Sequence, residues 1–76
     1  MREQPDPDLA DLLKRLREER SITQEQLAFD AGITVSALSR IERGLNSPGW
    51  TTVQRLASAL DIRMSELVTD LEETAG

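Results

Sequence analysis

The chain has 76 residues, 38% of them hydrophobic, and 14 acids against nine bases give a net charge of −5. One core of this size supplies about 3–5 kcal/mol, and the absence of cysteine and histidine removes disulfides, the commonest metal ligands and the commonest general base. No apolar run approaches the ~18 residues of a membrane span and no secretory core follows the start, so the expectation is a cytoplasmic, non-enzymatic domain with no cofactor, no metal and no membrane contact.

Residues 1–6 read as a flexible lead-in, with Asp6 as a helix cap, Pro7 at the first helical position and Asp8 complementing the helix dipole. Leu9, Leu12, Leu13 and Leu16 repeat at helical spacing and predict helix 1 to about Arg20. Ser21 stands where glycine would close the helix at lower cost. The stretch TQEQ, Thr23 to Gln26, has the hydroxyl and amide spacing of a capping box. Helix 2 is predicted over 24–31, with Leu27, Ala28 and Ala31 inward and Gly32 ending it in a turn that favours positive φ. Thr34 caps helix 3, whose inner face is Leu38 and Ile41, and Gly44 closes it. LNSPG, from Leu45, is a loop. Helix 4, about 50–60, buries Val53, Leu56, Ala57 and Leu60, and helix 5, about 63–72, carries Met64, Leu67, Val68 and Leu71. The domain therefore spans 7–72, with 73–76 as a flexible tail.

Charge is unevenly distributed. Residues 1–13 hold one base and four acids, and residues 64–76 hold four acids and no base. Residues 14–63 carry eight bases against six acids, so the middle of an acidic chain is mildly basic.

Two short helices joined by a glycine turn make a helix-turn-helix unit. Ala28 is small where the second helix crosses, Gly32 makes the turn, and Leu27, Ala31, Ile33, Leu38 and Ile41 lock the pair onto a third helix. Opposite Leu38 and Ile41, Ser36, Ser39, Arg40 and Arg43 fall at i, i+3, i+4 and i+7 as one outward stripe with no acid in it.

The stretches LREERSITQEQLA, AGITVSALSRIERG and SPGWTTVQRLASALDI, in this order over about residues 9–72, resemble the Cro/repressor-type helix-turn-helix domains, the lambda-repressor-like class of bacterial and phage regulators. The resemblance implies an all-α, compact five-helix domain that binds double-stranded DNA with helix 3 in the major groove. Arg40 would then pair with guanine, Val35 pack on a thymine methyl and Ser36 bond a base edge. Gln24 matches the family's phosphate-binding glutamine, which also buttresses the recognition helix. Thr34, Ser39, Arg43, Asn46 and Ser47 fall to the DNA backbone, although Arg43 equally suits the dipole at its helix end and Asn46 a turn. Arg17 and Glu42 match a semi-buried salt bridge between helices 1 and 3; with Ala28, Gly32 and Gly44 they are structural. Trp50 occupies an aliphatic core position and is expected to be a core anchor. Arg63 stands at the cap of helix 5 in place of a serine-like residue.

Leu45, Val68 and Leu71 extend past the expected core and would line a two-fold interface, making a homodimer that reads an inverted repeat. The function this implies is a sequence-specific transcriptional regulator, a repressor by preference, nucleoid-associated when bound. Two alternatives stand beside it. One is an antitoxin or restriction-modification controller that binds DNA and a protein partner. The other is a protein-only interaction module on the same fold.

Overall fold

The computed structural model describes residues 7–75, which form α1 (Pro7–Glu19), α2 (Gln24–Ala31), α3 (Val35–Glu42), α4 (Trp50–Ala59) and α5 (Met64–Ala75), with no strand among the described residues. The class is all-α, with α2 and α3 as the helix-turn-helix pair. The Asp6 cap and the lead-in over 1–6 lie outside the described residues. Helix α5 continues past its expected end at 72 to Ala75, so residues 73–75 of the expected tail are helical.

Four helices stop in the same way. The chain enters the left-handed region at Ser21 (φ 55°), Gly32 (74°), Gly44 (74°) and Asp61 (61°). The N–H of the next residue then reaches back to a carbonyl of the last turn: Ile22 to Arg17, Ile33 to Ala28, Leu45 to Arg40 and Ile62 to Ala57, at 2.9–3.2 Å. This satisfies carbonyls that lack an intrahelical donor, and it normally brings an apolar residue back onto the helix. Ile22, Ile33 and Ile62 do pack against the core. Leu45 does not, and is 56% exposed.

The core is a leucine cluster. Leu12, Leu13, Leu27, Leu38, Leu56, Leu60 and Leu67 are fully buried and come from α1 to α5 and the α4 end. Helix α2 packs on α3 and α4, and α1 on α3 and α5, so the helix-turn-helix pair rests on a three-helix framework. Ala10 is buried as well.

Two expectations change. Trp50 is no core anchor: it is 63% exposed. Burial along α4 falls from Leu56 and Ala57 through half-buried Val53 to exposed Trp50, so the core does not reach the first turn. The start of α5 is secured in spite of Arg63. The Glu66 carboxylate accepts from the Arg63 backbone N–H at 3.0 Å, the acidic half of a capping box without its hydroxyl half.

Candidate nucleic-acid interface

The turn between α2 and α3 is built from local chemistry at each step. The Thr23 hydroxyl accepts from the Gln26 N–H and the Thr34 hydroxyl from the Ala37 N–H, both at 3.0 Å. Gly32 lies between them in the left-handed region, and a Cβ built there would meet no atom within 4 Å. Glycine is thus favoured by the dihedral alone and not by lack of room. Ala28 and Ala31 are buried beneath the turn, where larger side chains would force the helices apart.

Held this way, α3 turns Leu38, Ile41 and Glu42 inward. Its opposite side exposes Val35, Ser36, Arg40 and Arg43, with Ser39 half-buried. These five and half-buried Gln24 of α2 line one shallow, open concavity. Thr34 is exposed at the start of α3; its oxygen is engaged by the cap, which leaves its proton to donate. Asn46 and Ser47 do not join that concavity. They border a second groove on the other flank of α3, with Ile33, Ala37, Ile41 and Pro48.

Beneath the outer face of α3 a buried ion pair joins α1 to α3. Arg17 donates from Nε to Glu42 Oε2 at 2.7 Å and from Nη2 to Oε1 at 3.0 Å. Its Nη1 donates to the Ile22 carbonyl at 2.8 Å, which anchors the connection between α1 and α2. Side-chain exposure is only 12% for Arg17 and 2% for Glu42. The hydrogen bond to Glu42 raises the Arg17 pKa above its ordinary value, against the opposing effect of burial. A cation raised in this way contributes stability that is lost as the pH rises into strong alkali. Gln24 Nε2 also donates to Glu42 Oε1, at 3.0 Å, so one carboxylate gathers α1, α2 and α3.

The other arginines are divided between framework and surface. Arg20 donates from Nε to the Leu60 carbonyl at 2.8 Å and from Nη1 to the Leu16 carbonyl at 3.1 Å, capping the end of α4 from α1. Arg15 meets Glu19 at 3.9 Å on the exposed side of α1, a pairing of little energetic weight. Among the described residues no acid pairs with Arg40 or Arg43. Of the eight bases of the centre, Arg17 and Arg20 are structural, Arg40 and Arg43 face outward beside Gln24, and Lys14, Arg15, Arg55 and Arg63 are exposed elsewhere.

Sequence reasoning missed the Arg20 cap, for which nothing local gives a signal, since its acceptor lies 40 residues away. It gave Gln24 as a buttress of the recognition helix but did not name Glu42 as its partner. Placing both residues near the same helix pair was the available clue. Of the three apolar residues proposed for an interface, Leu45 and Val68 are exposed, whereas Leu71 is half-buried against the core. Phe29, on the outer side of α2, is 82% exposed and had no assigned role. No helix among the described residues is long and apolar enough to cross a membrane, and none of their acidic side chains cluster as a metal site.

A helix-turn-helix family model matches residues 13–67. The HTH-type transcriptional regulator y4dJ of Sinorhizobium fredii is 42% identical over 60 residues, 79% of this chain and 78% of that protein. The immunity repressor of Bacillus phage phi105 is 41% identical over 56 residues; these are 74% of this chain but 39% of the repressor, so the likeness is confined to part of it. Among solved structures, the restriction-modification controller protein C.AhdI from Aeromonas hydrophila superposes with a TM-score of 0.77 at 34% identity, covering 80% of this chain and 92% of that one. The chain belongs to the Cro/repressor-type helix-turn-helix family of DNA-binding transcriptional regulators.

Proposed function

We propose that this chain is a repressor that binds an inverted-repeat operator as a homodimer, with α3 in the major groove. The observation that carries the reading is the outer face of α3. Val35, Ser36, Arg40 and Arg43 lie exposed beside Gln24, with no acid among them in a chain of charge −5. A duplex carries one negative charge per ~1.7 Å of its axis, so a surface that meets it needs this local sign whatever the total. Arg40 reads guanine through its two parallel donors, and Val35 and Ser36 supply an apolar and a polar contact to neighbouring bases. Gln24, Thr34, Ser39 and Arg43 hold the backbone on one flank of α3, and Asn46 and Ser47 hold it on the other.

The exposure of Leu45 and Val68 supports a partner copy, which would set two recognition helices ~34 Å apart. Leu71 adds less, being packed on its own core. A second reading is a restriction-modification controller, and the 34% identity to such a protein over 92% of its chain favours it. It uses the same face on DNA and differs in the genes controlled.

The experiment is selection of random duplexes with the purified protein at two salt concentrations. An enriched inverted repeat, with affinity falling steeply with salt, is the expected result. Arg40→Ala then relaxes preference at one position per half-site by about 1–3 kcal/mol. Arg43→Ala weakens all sequences alike and lowers the salt slope by about 1. No enrichment even at low salt would sink the reading and leave the protein-only module.

A further inference from the structure

We propose that Glu42, although buried, is a positioning residue for DNA binding that acts through the side-chain amide of Gln24. The inference rests on the reading of the α3 face as the DNA surface. Gln24 is the first residue of α2 and borders the same concavity as Ser36, Arg40 and Arg43. A glutamine there has three rotatable bonds, and its amide can place oxygen or nitrogen beside α3 with nearly equal ease. On a phosphate-facing surface the two orientations are not equivalent. A phosphate oxygen is met by N–H and repelled by a carbonyl.

Glu42 decides between them. Its carboxylate only accepts hydrogen bonds, and its two oxygens already take two donors from Arg17, at 2.7 and 3.0 Å. Oε1 takes one further donor, Nε2 of Gln24, at 3.0 Å. The nitrogen of the Gln24 amide is thereby held towards α3. Its second N–H remains for a ligand, on the nitrogen whose place is fixed. The charge of Glu42 is matched by Arg17, so the anchor puts no net negative charge beneath the phosphates. One buried group therefore sets the α1–α3 packing and the direction of a donor at the interface.

Glu42→Gln keeps the size of the side chain and a hydrogen bond to Arg17, but it can offer Gln24 either a donor or an acceptor. The fixed orientation is then lost. The test is a double-mutant cycle in affinity for the selected duplex, made with Glu42→Gln and Gln24→Met at a temperature where circular dichroism shows every variant folded. Each single change should weaken binding about fivefold, as expected for the loss of one hydrogen bond. The double variant should be no weaker than either. A Glu42 that only supports the fold would instead weaken binding equally with or without Gln24, and that additive result overturns the inference.

A measurement on the free wild-type protein decides the matter should Glu42→Gln not fold. Nuclear magnetic resonance should show one Gln24 side-chain amide proton exchanging more slowly with solvent than those of exposed Gln54. Equal exchange at the two residues overturns the proposal. The two readings fail separately: if the wild type binds and Arg40→Ala relaxes its preference while the cycle is additive, only the role of Glu42 falls. If the wild type binds no duplex, the DNA reading falls and takes this inference with it.

Discussion

The helix-turn-helix pair and the framework beneath it obey the same backbone rules with different residues. Helix α3 is bracketed by left-handed glycines, Gly32 before it and Gly44 after it, and both helices of the pair begin at threonine hydroxyls that accept a backbone N–H. In the framework the equivalent left-handed positions are Ser21 and Asp61, and α4 starts at Gly49 with no side-chain cap. What local chemistry leaves undone there is supplied from afar or by one charge: Arg20 reaches the Leu60 carbonyl, and Glu66 reaches the Arg63 N–H. The ends of α2 and α3 are set by their own residues, and those of the framework by side chains that reach in from elsewhere. On the surface proposed to meet DNA, the first arrangement leaves the ends of α2 and α3 fixed without help from other helices.

The two regions meet at Arg17 and Glu42, and breaking that seam should have the largest effect. Arg17→Met leaves the Glu42 carboxylate buried without its cation, which costs about 3–5 kcal/mol. That is comparable to the whole stability of about 3–5 kcal/mol for a domain of this size. Urea unfolding followed by circular dichroism should therefore find the variant largely unfolded at 25 °C. Arg17→Met combined with Glu42→Leu should recover much of the loss, since it removes the stranded charge. A single variant within about 1 kcal/mol of wild type would mean that the seam is not what joins the regions.

The same contrast explains what the sequence disclosed. Thr23, Gly32, Thr34 and Gly44 carry their conformations in their own chemistry, so α2, the turn and α3 were legible residue by residue. The outward stripe was legible as well, because helical periodicity places Ser36, Arg40 and Arg43 opposite Leu38 and Ile41 whatever packs nearby. Trp50 was misread because periodicity says which side of a helix faces inward but not how far along it the core extends. Arg63 looked like a poor helix start because the compensating group, Glu66, works from within the helix. The allotment of charges was the hardest part. Arg17, Arg20 and Arg40 are alike in composition, and only the acceptors brought by distant helices separate a clamp, a cap and an outward-facing cation.

A smaller effect is expected where a helix of the pair begins. Thr34→Ala removes the hydroxyl that accepts the Ala37 N–H and should cost about 1 kcal/mol, or about 4–8 °C in melting temperature. The exposed site makes packing losses negligible, so the change isolates the cap. DNA affinity should fall by more than the change in folded fraction explains, because fraying starts at Val35 and Ser36 and the proposed Thr34 contact to the DNA backbone is lost with the hydroxyl. Equal loss in both measurements would show that the first turn of α3 is held by the core and not by its cap.

The finest comparison exchanges the residues of two helix ends with the same backbone. Ser21 and Gly32 both occupy the left-handed region, at φ 55° and 74°. Holding a side chain there costs about 1–2 kcal/mol, while glycine gives the unfolded chain extra freedom worth about 0.4–1 kcal/mol. The difference favours glycine by roughly 0.5 kcal/mol at either site. Ser21→Gly should therefore stabilise and Gly32→Ser destabilise by similar small amounts, read as opposite shifts of about 2–4 °C in melting temperature. Because a Cβ at Gly32 meets nothing within 4 Å, no steric term should spoil the symmetry. If Gly32→Ser were much the worse of the two, the excess would measure a constraint on the α2–α3 turn that the α1 end does not share.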